Sequence, residues 1–206
     1  RTVTLGTENA ITGIILAGGK SARMGQDKAF IEVDGVPIIL RIFAVFNRLF
    51  RETIIVANEK EPYTELNIPV YSDLVPGQGA LGGLYTGLVY STFSYSFCVA
   101  CDMPFLDRAL IEYLLTRIEQ YDAVVPRTSD GLQPLHAVYS KQCLDPIRHL
   151  LDLKKTKIMD FYPLIRLGIV DEKEFLPLDP DKRSFTNVNT PEELQMLQKK
   201  REPSLR

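Results

Sequence analysis

Residues 13–28 read Gly13-Ile14-Ile15-Leu16-Ala17-Gly18-Gly19-Lys20-Ser21-Ala22-Arg23-Met24-Gly25-Gln26-Asp27-Lys28, and this stretch decides the fold. Its first part is apolar and β-branched, the pattern of a short buried strand. The strand empties into a loop with three glycines, three cations and one carboxylate within residues 16–28. Glycine has no Cβ, so such a loop lets bare backbone N–H groups approach phosphates closely. The cations add charge where a triphosphate would lie. A solvated turn would account for the paired glycines alone, but not for the added Ser21, Arg23, Gly25, Asp27 and Lys28. Two familiar phosphate motifs do not fit. A P-loop needs a glycine where this chain has Ile14, and Gly18, Gly19 and Gly25 have the wrong spacing for a dinucleotide fingerprint.

Outward from this stretch, strands and amphipathic helices alternate. Strands are expected over 12–16, 53–57, 69–72, 96–100, 123–126 and 134–139, and helices over 38–49, 82–91, 108–120 and 141–150. The helix over 38–49 puts Ile39, Ile42, Phe43, Phe46 and Leu49 on one stripe. Asp107 is a natural N-cap, and Thr190-Pro191-Glu192-Glu193 opens a last helix with a cap, a proline and two acids. Such alternation implies right-handed crossovers and an α/β fold, a mostly parallel sheet flanked by helices. Ligands of these sheets bind beyond the carboxyl ends of the strands. The glycine loop, Asn58, Asp73 and Asp102 follow the first four expected strands in turn, so they converge on one rim. No linker or repeat divides the chain. A single domain over 1–206 is expected, with fraying at 1–10 and 199–206.

The 206 residues suffice for one large core, and 45% hydrophobic with 24% charged residues is ordinary for a globular protein. A net charge of −2 supplies no basic field for nucleic acid, which is not expected as a partner. No apolar run reaches the ~18 residues that span a bilayer. Residues 1–10 lack the apolar core of a signal peptide, so the chain reads as cytoplasmic, with no membrane partner. Cys98 and Cys101 form a C-x-x-C pair, but in a strand-like run their side chains point to opposite faces. With Cys143 and two separated histidines, His136 and His149, they make no credible zinc set and read as buried small side chains.

The pattern Leu-Ala-Gly-Gly-x-Ser-x-Arg-Met-Gly-x-Asp-Lys-Ala over 16–29 resembles the signature loop of nucleotidyltransferases that act on small molecules. Among these it is most similar to the molybdenum cofactor guanylyltransferase (MobA-type) family. The resemblance extends to Asn58, Asp73, Cys101-Asp102-Met103-Pro104 and Asn187-Val188-Asn189-Thr190-Pro191-Glu192-Glu193-Leu194. It implies a Rossmann-like, single-domain nucleotidyltransferase that joins GMP from GTP to molybdopterin or Mo-molybdopterin and releases pyrophosphate. It also implies Mg²⁺ as cofactor, and it leaves room for partner proteins that deliver molybdopterin or receive the finished cofactor.

The resemblance carries roles onto individual residues. Asp102 matches the family's magnesium ligand, and a carboxylate that ends a strand suits that work. Lys28 matches the cation at the phosphates, and Arg23 is a candidate clamp on the β- and γ-phosphates. Leu16, Ala17, Gly18 and Gly19 would offer backbone amides. Asn58 and Asp73 match positions that contact the nucleoside, and both side chains suit a purine edge or a ribose. Gly82 lies in a segment, residues 79–83, similar to the family's Gly-Pro-Leu-x-Gly loop beside the base, with Ala80 in place of proline. Asn187 and Asn189 match the segment on the acceptor side. The expected site therefore has two halves: Lys28 and the first loop for the nucleotide, the asparagine pair for molybdopterin.

Alternatives stand beside this reading. A molybdopterin cytidylyltransferase or a sugar-phosphate nucleotidyltransferase would share the loop. Gly18-Gly19 favours guanine, because cytidylyl enzymes usually carry Ala-Gly there. Residues 77–82 also contain a formal G-x-G-x-x-G, but Asp73-Leu74-Val75-Pro76 separates it from its strand, against a dinucleotide site. A non-catalytic nucleotide sensor would not need both Lys28 and Asp102.

Overall fold

The computed structural model describes residues 10–17, 28–190 and 192–195. The expected fraying over 1–10 and 199–206 falls almost wholly outside these residues. In chain order the strands are β1 (Ile11–Leu16), β2 (Glu32–Val33), β3 (Val36–Pro37), β4 (Glu52–Val56), β5 (Val70–Tyr71), β6 (Tyr95–Ala100), β7 (Ala123–Thr128), β8 (Gly131–Leu132), β9 (His136–Ser140) and β10 (Leu167–Asp171). The α-helices are α1 (Ile38–Leu49), α2 (Gly79–Tyr90), α3 (Arg108–Leu115), α4 (Leu144–Asp152) and α5 (Glu172–Phe175). The main sheet runs β10-β7-β9-β6-β1-β4-β5, with β8 paired to β7, and β2 and β3 form a separate small hairpin.

The pairs β5–β4, β4–β1, β1–β6 and β7–β10 are parallel, whereas β9 is antiparallel to both β6 and β7. The mostly parallel expectation holds, with β9 inserted in the opposite sense and the short β8 also antiparallel to β7. Loop length explains it. Only residues 129–135 separate β7 from β9, whereas a parallel return needs about a dozen residues or more. Helix α3 stops at Leu115 and a 3-10 turn covers Ile118–Gln120, so the helix expected over 108–120 is broken. Helix α4 starts after a 3-10 turn over Lys141–Cys143, and α2 starts three residues before the expected 82.

Alternation along β1 and β6 sends side chains into two cores. Ile11, Ile15, Phe97 and Val99 pack with α1 and α3 on one face. Ile14 and Cys98 pack with α2 and α4 on the other. Cys98 and Cys101 accordingly lie in different cores, and all three cysteines are buried. Burial pushes the Cys98 thiol well up, so the C-x-x-C pair has none of the electropositive exposure that a redox site needs. The glycines of α2 serve packing. A Cβ on Gly87 would lie 2.7 Å from Ile14 Cγ2, so only glycine lets α2 settle this close to β1.

Candidate active site

Strands β1, β4, β5 and β6 end on one edge, and short backbone bonds continue their ladder past the last strand residues. Ala17 N–H donates to Val56 O at 2.8 Å, Ala57 N–H to Tyr71 O at 3.0 Å, and Cys101 N–H to Leu16 O at 3.0 Å. These bonds fix the rim on which Asn58, Asp73 and Asp102 stand. They also correct one expectation. The Ala17 amide is consumed by its bond to Val56 O, so it is not free for phosphate. The expected Gly18, Gly19 and Arg23 lie outside the described residues.

Asp102 follows β6 by two residues, and its backbone carbonyl accepts from Val188 N–H at 2.8 Å. That bond draws residues 187–189 over the rim although they lie far along the chain. Lys28 opens the 3-10 turn Lys28–Phe30. Its Nζ stands 4.0 Å from Asp102 Oδ2, with the two side chains 26% and 16% exposed. The same Nζ donates to Asn189 Oδ1 at 2.5 Å. Asn189 in turn donates through its backbone N–H to Glu193 Oε2 at 2.7 Å and through Nδ2 to the same oxygen at 3.2 Å. The two expected halves thus meet at one point: Asn189 binds the lysine assigned to the nucleotide. Asn187 is exposed, and Val188 between the asparagines is buried.

Asp102 Oδ1 is buried and has no hydrogen-bond partner among the described residues. Burial lifts the carboxyl above its ordinary value, against the pull of the Lys28 ammonium and with a push from Glu193. A lysine 4.0 Å away does not offset that desolvation. An ionised carboxylate oxygen of this kind has the chemistry of a cation ligand. No cluster of three histidine, cysteine or acidic side chains stands ready to hold a metal among the described residues. One carboxylate oxygen suits Mg²⁺, which keeps waters and takes its other oxygens from substrate phosphates.

On the far side of the rim, Asp73 Oδ1 accepts from Val75 N–H at 3.0 Å and lies 3.0 Å from Thr86 Oγ1, which accepts from Leu74 N–H at 2.9 Å. One oxygen of Asp73 therefore builds the turn into α2. Gly82 is a spacer for this turn: a Cβ there would lie 3.2 Å from Asp73 Oδ2 and 3.0 Å from Val75 O. The Gly82 amide already donates to Gln78 O at 3.3 Å, so Gly82 offers no free donor to a base. Asn58 is exposed on the rim after β4. Thr86 had no sequence signal, because it sits inside a glycine-rich helix. Glu193 had one, the spacing Thr190-x-x-Glu193 of a capping box, and Glu193 N–H does donate to Thr190 Oγ1 at 3.1 Å.

His136 lies away from this chemistry. It is fully buried against the rings of Phe97 and Phe185, at 5.0 and 4.9 Å between centroids. Neither ring nitrogen has a partner among the described residues. Burial pushes its pKa down to about 4, so it is neutral and packed.

The sequence pattern described as the MobA-like NTP transferase domain matches residues 13–165, the span that holds Lys28, Asp73 and Asp102. The chain belongs to the MobA-like NTP transferase family. A member from Pelotomaculum thermopropionicum, named a probable molybdenum cofactor guanylyltransferase, is 43% identical over 183 residues, 89% of each chain. Another from Desulfosudis oleivorans, named a molybdenum cofactor guanylyltransferase, is 40% identical over 189 residues, covering 91% of this chain and 94% of its own. A crystal structure of molybdopterin-guanine dinucleotide biosynthesis protein A from Archaeoglobus fulgidus superposes with a TM-score of 0.78, covering 92% and 97% of the two chains. At 22% identity, that likeness shows a shared MobA-like fold.

Proposed function

We propose that this MobA-like NTP transferase moves GMP from GTP to molybdopterin and releases pyrophosphate. The observation that carries the reading is the junction of Lys28, Asp102 and Asn189 at the strand rim, where one buried carboxylate oxygen lacks a partner among the described residues. A transferase between two phosphates needs no protein nucleophile, because the acceptor already brings an anionic oxygen. The terminal phosphate oxygen of molybdopterin attacks the α-phosphorus of GTP in line. The P–O bond to the β-phosphate breaks and pyrophosphate leaves with the electron pair. Catalysis of this kind rests on alignment and charge neutralisation.

The chain's residues divide that work. The Lys28 ammonium, fixed by Asn189, faces the triphosphate. Gly18, Gly19 and Arg23 are assigned to the same phosphates. Asn58 and the second carboxylate oxygen of Asp73 are assigned to the nucleoside. Asn187 takes the acceptor. Asp102 would hold Mg²⁺, which would supply positive charge against phosphate oxygens. Family membership and the names of the relatives support this assignment. No helix among the described residues is long and apolar enough to cross a membrane. We take the chain as one domain acting in the cytoplasm, with proteins that deliver molybdopterin or receive the cofactor as its partners.

Calorimetric titration with GTP, CTP and ATP in Mg²⁺ tests the base assignment. GTP is expected to bind at least tenfold more tightly, a difference of about 1.4 kcal/mol. Equal affinities would remove the guanine assignment.

A further inference from the structure

We infer that Glu193 is a positioning residue for Lys28 and acts through the Asn189 amide. The inference rests on the reading of Lys28 as the cation of the triphosphate pocket. Asn189 stands between two groups of opposite charge: its Oδ1 receives Lys28 Nζ, and its Nδ2 donates to Glu193 Oε2. An ammonium only donates and an ionised carboxylate only accepts. The amide therefore has one orientation that satisfies both neighbours. Flipped, it would set NH₂ against the ammonium and oxygen against the carboxylate. The backbone N–H of Asn189 donates to Glu193 Oε2 as well, so the carboxylate grips the residue at two points. These bonds hold the Glu193 carboxyl below its ordinary value and keep it charged at neutral pH.

The consequence reaches Lys28. A lysine carries a flexible four-carbon stem and a strongly hydrated head, so its position is set by what receives its protons. With the Asn189 oxygen fixed, the ammonium is held near Asp102 on the rim rather than spread through solvent. Glu193 touches no expected substrate atom, and its reach to the site runs through 165 residues of sequence separation from Lys28. Thr190 Oγ1 caps the last helix by accepting from the Glu193 backbone N–H, a bond that does not use the glutamate side chain. A disturbed helix start could still move Asn189, so the two effects are separated by experiment.

A double-mutant cycle does so. GTP affinity is measured by calorimetry in Mg²⁺ for the full chain, for Lys28→Ala, for Glu193→Ala and for the double variant. Glu193→Ala is expected to weaken GTP about two- to fivefold, no more than loss of the Asn189 amide itself, and to cost nothing further once Lys28 is alanine. Independent, additive losses would overturn the inference. Thr190→Ala removes the cap hydroxyl and leaves the grip on Asn189, so it should keep GTP affinity. A loss equal to that of Glu193→Ala would assign the effect to capping and overturn the inference. Should Glu193→Ala fail to fold, the same cycle with Glu193→Gln decides, and additivity or no loss would overturn it. If Lys28→Ala itself binds GTP normally, the triphosphate reading of Lys28 falls. If Lys28→Ala weakens GTP and Glu193→Ala adds independently, only the role of Glu193 falls.

Discussion

Replacing Asp102 with Asn should separate function from stability, because the two depend on its charge with opposite signs. The carboxylate lies 4.0 Å from Lys28, and the side chains are 16% and 26% exposed. An ion pair this long does not offset the desolvation of a largely buried carboxylate. Burial works against it, since the carboxyl in the folded chain is lifted above its ordinary value. Between the unfolded value and that higher folded value, the native state binds more protons than the unfolded chain. Stability contributed by this group therefore falls as pH rises through the window, and at neutral pH the charge is a net cost. Asparagine keeps the shape and removes the cost. In metal-free buffer at pH 7 the variant should melt no lower than the wild type. Any gain should vanish as pH falls below the ordinary carboxyl value of 3.8. Transfer activity should drop about 10²–10³-fold, the loss typical of one electrostatic contact in the transition state. Calorimetric melts against pH and a pyrophosphate-release assay read the two effects. A variant that melts several degrees lower at pH 7, or that turns over near the wild-type rate, would refute the reasoning.

Asn189→Ala should weaken GTP about fivefold, roughly 1 kcal/mol for a charge-assisted hydrogen bond to a partly exposed lysine. Calorimetry showing unchanged GTP affinity, with impaired use of molybdopterin alone, would restore the two-halved site. His136 holds its proton less tightly folded, about 4, than its ordinary 6.5. The unfolded chain is thus protonated first, and the stability this neutral ring permits is lost as pH falls from 6.5 toward 4, by about 3 kcal/mol. His136→Leu should flatten that part of the urea-unfolding curve against pH, and an unchanged slope would contradict the account. Gly13→Ala should destabilise by about 1–3 kcal/mol through overpacking, since its Cβ would stand 2.3 Å from Phe46 Cδ2 in the β1–α1 core. A melting temperature within 1 °C of the wild type would show that Phe46 can move aside.

Much of the fold was legible because each strand of the parallel core carries its own signal. The apolar runs of β1, β4 and β6 end two residues before Gly18, Asn58 and Asp102, and Asp107 accepts from Leu110 N–H at 2.9 Å as an N-cap should. Strand β10 was missed. Its side chains alternate, but Gly168 weakens the signal, and that glycine is there for packing: a Cβ would lie 2.6 Å from the Tyr121 ring. The sense of β9 was readable from the short link after β7, and the rule of loop length would have found it. At the site, residue identity pointed to Lys28, Asp73, Asp102 and Asn189, while their pairing did not follow from sequence. That Asn189 meets Lys28 depends on the backbone bond from Val188 to Asp102, a contact between segments with no local pattern in common. The packing role of Gly82 was hidden for a similar reason. A glycine that spaces a turn from a helix and a glycine that admits a base look alike until the neighbours are in place.

The account's central claim is the reaction itself. The enzyme is incubated with molybdopterin, Mg²⁺ and GTP, CTP or ATP, while pyrophosphate is followed continuously and the pterin product is weighed by mass spectrometry. With GTP, one pyrophosphate should appear for each GMP joined to molybdopterin, and CTP and ATP should be at least tenfold slower. Preferred formation of a cytidylyl product, or nucleotide binding with no pyrophosphate released, would contradict it.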